Sequence, residues 1–165
     1  MSRLIIIGGG AAGFFLAVNA ACLHPGLKVT ILEKTNKLLS KVKVSGGGRC
    51  NITHQCDDIT EMSKCYPRGQ HFVKKAFHQF FTTSTIDWFQ ERGVRLKVEE
   101  DGRMFPVSDS SQSVIDCLLG EAARYEVEII MNAEVRSVVP STSHFSLELK
   151  DGRALACDKL AIACG

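Results

Sequence analysis

Four apolar residues, Leu4-Ile5-Ile6-Ile7, run directly into Gly8-Gly9-Gly10-Ala11-Ala12-Gly13, and few folds accept that junction. Residues 4–23 as a whole are apolar enough to be tested as a membrane span or a leader behind Arg3. The glycines argue against it, since each costs a helix interior about 1 kcal/mol relative to alanine. Asn19 also interrupts the far end. The same residues read without conflict as a strand, a tight turn and a helix. A short, continuous, β-branched run suits a strand covered on both faces of a parallel sheet. The glycines match G-x-G-x-x-G. The first permits the turn, the second lets a phosphate approach the backbone, and the third lets helix and strand touch. Residues 14–23 continue as the helix, whose N-terminal amides and dipole favour a pyrophosphate, and His24-Pro25-Gly26 ends it.

Residues 28–32 form a second apolar strand that ends in Glu33, twenty residues beyond Gly13. A carboxylate there accepts hydrogen bonds from the ribose hydroxyls of an adenosine and disfavours a 2′-phosphate. Without a nucleotide, Glu33 is simply a solvated carboxylate at a strand end. Strand, glycine turn, helix, strand and terminal acid in this order make a dinucleotide-binding βαβ unit over residues 1–34.

A second glycine cluster, Gly46-Gly47-Gly48, lies in residues 35–53, which read as loop and turn. Three consecutive glycines have no use inside a helix or strand. They suit a backbone passing close to a ligand, with Lys41, Lys43 and Arg49 adding positive charge, or a plain flexible loop. Residues 72–81 and 84–92 carry apolar side chains at helical spacing, and Phe77, Trp88 and Phe89 are expected in the core. Asp101-Gly102 between 94–98 and 103–107 signals a hairpin. Ser108 to Ser113 offers caps for a helix reaching residue 125. An apolar strand over 127–131 follows, then a meander over 134–139, 144–150 and 153–157, and a last strand over 159–165. The expected organisation is thus an insert over 35–110 between the βαβ unit and residues 111–165. The fold class is α/β, a Rossmann-like domain with a parallel sheet and a small antiparallel meander.

The chain has 165 residues, of which 45% are hydrophobic and 23% charged, with a formal net charge of +2. Such a balance fits a folded globular domain and gives no bulk attraction for nucleic acid.

This arrangement resembles the FAD domain of the glutathione-reductase-like flavoproteins. The segment SGGGRCNIT at residues 45–53, with Gly102-Arg103-Met104-Phe105-Pro106 and Ser108, is similar to the signature of the BaiN/YhiN-type, aminoacetone-oxidase-like NAD(P)/FAD-dependent oxidoreductases. The resemblance covers nearly the whole chain. It implies extended FAD, with Gly8, Gly10, Ala11, Ala12 and Gly13 at the pyrophosphate and Glu33, beside Lys34, at the adenosine ribose. Lys41, Gly46, Gly47, Gly48, Arg49, Cys50 and Asn51 would line the cofactor further along. Val135 would meet the adenine through its backbone, and Ala163 and Gly165 would approach from the last strand. The final motif reads Ala163-Cys164-Gly165 where such proteins usually carry Thr before Gly, which loses a hydroxyl. Members of the family continue well beyond this length. The resemblance therefore implies the N-terminal part of an FAD-dependent oxidoreductase, with NADH or NADPH as reductant, inactive by itself and holding FAD weakly. No catalytic acid or base is assigned. The rival function is a non-redox adenine-nucleotide-binding module or sensor.

Seven scattered cysteines without a CxxC pair make a poor disulfide framework and fit a reducing cytoplasm. Cys50, His54, Cys56, Cys65 and His71 invite a zinc reading, but their gaps exceed the spacing of structural zinc sites, and no metal is expected. Cys50 and Cys56 likewise lack the C-x4-C spacing of the redox-active disulfides in related reductases. Lys64, Arg68, Lys74 and Lys75, interleaved with Tyr66, Phe72 and Phe77, can be drawn as a nucleic-acid patch. A solvated helix face over an apolar underside accounts for the same residues. The partners expected are therefore a small-molecule substrate, with no nucleic acid and no membrane, and self-association through an incomplete sheet edge.

Overall fold

The structure is a computed structural model that describes residues 2–165. Its chain forms two compact units, one of residues 1–42 and 118–165 and the other of residues 43–117. The insert thus runs over 43–117, where the sequence suggested 35–110.

The first unit is built on a four-stranded parallel sheet. β1 (Arg3–Ile7) lies between β2 (Lys28–Leu32) and the last strand, Lys159–Ile162, while Glu128–Ile130 extends the sheet beyond β2. The apolar run at the N-terminus is an interior strand covered on both faces, which explains why Leu4–Ile7 has no polar position. Ile5 and Ile6 are fully buried and point to opposite faces, as strand pleating requires. On one face lies α1 (Ala11–Leu23), which buries Phe14, Ala17 and Val18. On the other, Ile5 and Leu32 join Ala133, Leu147, Leu149 and Cys157 in a single cluster. The last three come from the antiparallel meander Val135–Pro140, Phe145–Leu149 and Ala154–Cys157. Thr30, the buried polar residue of β2, donates to Glu128 Oε2 at 2.8 Å, so it carries no unpaired hydroxyl.

The second unit holds the three-stranded antiparallel sheet of β3 (Thr53–His54), β5 (Arg103–Pro106) and β4 (Leu96–Val98), in that order. Around it lie α2 (Ser40–Val44, shared with the first unit at its start), α3 (Ile59–Lys64), α4 (Gln70–Phe77) and α5 (Thr82–Gln90). α6 (Gln112–Arg124) begins in this unit and ends in the first. Consistent with chain order, the remaining strands are β6 (Glu128–Ile130), β7 (Val135–Pro140), β8 (Phe145–Leu149), β9 (Ala154–Cys157) and β10 (Lys159–Ile162).

Three sequence expectations change. Residues 35–53 are not all loop, since α2 and a left-handed glycine turn occupy their middle. α3 was not foreseen. Asp58 caps it, its Oδ1 accepting from Thr60 N at 2.6 Å and Glu61 N at 3.0 Å, a capping signal present in the sequence. The helix expected over 72–81 ends at Phe77, and Phe81 instead caps the start of α5. Trp88 and Phe89 are buried and meet edge to face at 4.8 Å, as expected of core residues. Phe77 is half-buried between Tyr66 and Phe81.

Candidate nucleotide site

In the first unit the glycine turn joins β1 to α1 at the carboxyl end of the parallel sheet. Gly8 has φ +116°, a conformation that strains any residue with a side chain. A Cβ there would also lie 2.6 Å from the Ala163 carbonyl oxygen, because the chain leaving β10 crosses it. At Gly13 a Cβ would stand 2.0 Å from the Gly8 carbonyl oxygen, so helix and turn meet through backbone alone.

Gly10 differs from both. A Cβ there meets nothing within 4 Å, so no part of the protein requires glycine at this position. Gly10 is the N-cap of α1 and no side chain caps the helix. The first helical hydrogen bond runs from Phe14 N to Gly10 O at 3.0 Å, which leaves the amides of Ala11, Ala12 and Gly13 without acceptors inside the helix. Open space in front of an uncapped N-terminus suits an anion, and the two phosphates of a dinucleotide fit such a cradle.

Glu33 is half-buried at the end of β2. Its Oε2 accepts from Gly9 N at 2.9 Å, and its Oε1 accepts from Thr35 N and Thr35 Oγ1, each at 2.9 Å. Burial opposes ionisation, but those hydrogen bonds and the charge of Lys34 together hold the carboxyl below its ordinary value. The carboxylate thus ties the glycine turn to the tip of β2 while it remains partly exposed. Lys34 is exposed and adds this electrostatic support. Leu39 N donates to Gly9 O at 2.9 Å, and the Leu38 side chain lies 3.0 Å from where a Cβ of Gly9 would be. Thr35, Leu38 and Leu39 support the turn, and no motif of the sequence pointed to them.

Lys41 lies at the same end of the sheet. Its Nζ is 3.2 Å from the position a Gly165 Cβ would take, and Ala163 N continues the pairing of β10 by donating to Ile7 O at 2.8 Å. Val135 starts β7 and packs partly buried against the core cluster, close in sequence to Ala133, whose N donates to Glu33 O at 2.9 Å. The first unit therefore brings Gly8, Gly10, Ala11, Ala12, Gly13, Glu33, Lys41, Ala163 and Gly165 to one end of the sheet.

The other expected residues belong to the second unit. Gly46, Gly47 and Gly48 have φ of +55°, +68° and +87°, a left-handed turn that three residues with side chains would not tolerate. Their surroundings differ. A Cβ on Gly46 would lie 2.8 Å from both Asn51 N and the Phe105 ring, whereas Gly47 faces open space. Gly48 O accepts from Ser111 N at 2.8 Å, and Ser111 Oγ donates to the Lys43 carbonyl at 2.9 Å. Arg49 presents no free charge. Its guanidinium pairs with Glu99, lies 3.7 Å from Asp109 Oδ1 and stacks over the Phe105 ring at 4.1 Å. Cys50 is buried at φ +62°. The Asn51 side-chain amide, turned with its nitrogen toward acceptors, donates to the carbonyls of Thr53 at 2.8 Å and Met104 at 3.2 Å. Arg49 and Asn51 therefore brace the glycine turn, and Gly47 is the member that leaves backbone open to a ligand. Phe105 and Glu99 complete the brace, the former inside the Gly-Arg-Met-Phe-Pro stretch singled out in the sequence.

The sequence profile of the HI0933-like protein Rossmann domain matches residues 2–165. The chain belongs to the HI0933-like family. The family and fold expected from residues 45–53 and the βαβ start are thus both shown. Among relatives, the chain is 34% identical over 161 residues to "Ribosomal RNA dihydrouridine synthase" of Escherichia coli, covering 98% of this chain and 38% of that protein. It is 32% identical over 166 residues to "3-dehydro-bile acid delta(4,6)-reductase" of Clostridium scindens, covering 100% of this chain and 39% of that protein. The chain thus spans less than two fifths of the length of these relatives. Its fold is also similar to that of a 3-ketosteroid-delta4-(5alpha)-dehydrogenase from Rhodococcus jostii, with TM-score 0.68 and 14% identity over 99% of this chain and 46% of that one. THI4 of Thermovibrio ammonificans matches with TM-score 0.62 and 11% identity over 99% of this chain and 57% of that one.

Among the described residues, no group of three His, Cys, Asp or Glu side chains is arranged to hold a metal ion, and no helix is long and apolar enough to cross a membrane. All seven cysteines are free thiols.

Proposed function

We propose that this HI0933-like chain is the FAD-binding part of a reductase that saturates a carbon–carbon double bond conjugated to a carbonyl, with NADH or NADPH as the reductant. The observation that carries FAD binding is the open cradle at Gly10, with uncapped amides on one side and the Glu33 carboxylate on the other. The amides of Ala11, Ala12 and Gly13 neutralise the pyrophosphate, and Lys41 adds charge at the same end of the sheet. Glu33 exchanges part of its hold on Gly9 and Thr35 for the adenosine ribose hydroxyls. As a carboxylate it repels a 2′-phosphate, so the NADPH alternative binds elsewhere. In the second unit, Gly47 leaves its backbone open to a ligand, on a turn braced by Arg49 and Asn51. Bound FAD reduced by NADH or NADPH would supply the hydride for such a saturation, the second hydrogen arriving at the neighbouring carbon as a proton.

The substrate class rests on chemistry that two relatives' names share. Dihydrouridine is uridine whose ring double bond, conjugated to a carbonyl, has been saturated. A delta(4,6)-reductase acting on a 3-dehydro bile acid likewise removes unsaturation conjugated to the 3-oxo group. Free thiols throughout the chain fit a reducing compartment, and we place the protein in the cytoplasm.

The test is an anaerobic half-reaction. The full-length protein, reduced with NADH or NADPH, is mixed with an unsaturated carbonyl compound such as a 3-oxo-Δ4 steroid or a uridine-containing RNA. Reoxidation of the flavin with formation of the saturated product supports the reading. Flavin that is reoxidised by none of these compounds, yet by dioxygen at once, contradicts it.

A further inference from the structure

We infer that the surface formed by Arg68, His71, Phe72 and Lys75 docks single-stranded RNA, a partner the sequence reading did not expect. That expectation assumed an apolar underside for all the aromatic residues of this stretch. The structure provides it for Phe77, which meets the Tyr66 ring edge to face at 5.7 Å and the Phe81 ring at 5.3 Å. It does not provide it for Phe72, which is 79% exposed on α4, a helix without a single buried residue. Tyr66 and Phe80 are each 40% exposed nearby in sequence.

The stretch itself carries charge of one sign. From Met62 to Ile86 the chain contains no Asp or Glu, while Lys64, Arg68, Lys74 and Lys75 are cationic and His71 and His78 titratable. The acidic groups that face this stretch come from α3 and its cap. Glu61 takes Lys64 at 2.6 Å, and Asp58 lies close enough to Lys64 and Lys74 to be stabilised in its charged form by both. Lys74 also donates to Thr60 Oγ1 at 2.9 Å. Arg68 and Lys75 have no ion pair among the described residues. Phe72 and Lys75 are three apart, and His71 and Lys75 four apart, so the three share one side of α4.

An exposed ring on a helix face with unpaired cations nearby in sequence matches the way proteins hold single strands, with bases stacked on aromatic faces and phosphates on Arg and Lys. A duplex offers no free base face to Phe72, and a lipid surface offers no ring to stack. RNA also supplies a ring double bond conjugated to a carbonyl, so the inference rests on the reductase reading for its choice of polymer.

The experiment measures fluorescence anisotropy of a fluorescein-labelled oligouridylate against the full-length FAD-loaded protein over a salt series. The wild type binds, and R68Q/K75Q lowers the salt slope by about 1.4, the value for two single-strand phosphate contacts at roughly 0.7 each. F72A weakens binding roughly tenfold or more. R153E, in the β8–β9 turn of the first unit, leaves binding unchanged, and retained flavin absorbance reports that each variant is folded. Wild-type affinity in both R68Q/K75Q and F72A, or wild-type binding to anionic vesicles but not to the oligouridylate, overturns the inference. If RNA binding is lost as described while flavin reoxidation fails, the docking surface stands and the reductase reading falls. If reoxidation by a small unsaturated carbonyl succeeds without RNA binding, the reverse holds.

Discussion

A single methyl group at position 13 would sit 2.0 Å from the Gly8 carbonyl oxygen, and neither atom has a side-chain torsion with which to retreat. G13A must therefore push α1 off the turn, at a cost of about 1–3 kcal/mol for an overpacked contact. The variant should unfold at lower temperature than the wild type and be isolated without flavin. Full flavin occupancy in G13A, read from its visible absorbance, contradicts the close contact. Glu33 makes a second prediction. Its carboxyl sits below its ordinary value in the folded chain, so its charged form stabilises the fold fully above the unfolded value of 4.5. That contribution is lost as pH falls through the lower folded value. E33Q removes this titration, so its stability should fall less steeply than that of the wild type between pH 4.5 and more acidic solution. At neutral pH, E33Q should weaken FAD binding about tenfold, in keeping with a lost charge-assisted hydrogen bond. Equal acid sensitivity in the two proteins would sink this assignment. Gly8 and Gly13 were legible in the sequence because backbone crowding demands glycine at fixed offsets, whereas the hold of Glu33 on Gly9 and Thr35 was not. Arg49 was not legible. Its charge suggested a ligand, and only the fold shows Glu99, Asp109 and Phe105 around it.

The left-handed turn over Gly46–Gly48 separates two uses of glycine within one element. G46A strains a positive φ and also drives a Cβ to within 2.8 Å of Asn51 N and the Phe105 ring. G47A strains φ alone, since nothing lies within 4 Å. The expected loss of stability is about 1 kcal/mol for G47A and about 2–4 kcal/mol for G46A, the αL strain plus a core clash. FAD affinity should fall in G47A in spite of its milder folding defect. Denaturant midpoints and flavin titrations check the pair, and equal destabilisation contradicts the difference in surroundings. All strands but β3 (Thr53–His54), which was not foreseen, were read closely because apolar runs and Asp-Gly turns mark them directly. β4 and β5 flank Asp101-Gly102, and β8 and β9 flank Asp151-Gly152. α2 and α3 were missed because five or six residues carry too little periodicity, and α4 was drawn too long because Phe80 and Phe81 continue its apolar pattern. α4 gives way to a turn at residues 78–79, and Phe81 takes extended backbone, φ −116° and ψ −173°, to start α5.

At the scale of the molecule, the two units divide the work differently from the sequence reading. The first supplies the sheet, the cradle and Glu33. The second supplies the Gly46–Gly48 turn, its brace and the aromatic, basic face on α4. Family and fold class were legible because a short tripled-glycine motif and a βαβ start are both tied to backbone geometry that no other residues provide. Substrate was not legible, since specificity lies in side chains facing a reactant and this chain spans less than two fifths of its relatives. The rival reading, a colourless module that binds adenine nucleotides, uses the same cradle and differs in what the protein carries. The decisive measurement is the identity and stoichiometry of the chromophore in the full-length protein, by visible spectrum and by chromatography of the denatured supernatant. One FAD per chain, bleached by NADH or NADPH under anaerobic conditions and lost in G13A, is the result predicted. A colourless protein that binds ADP but neither retains nor takes up FAD would contradict the account.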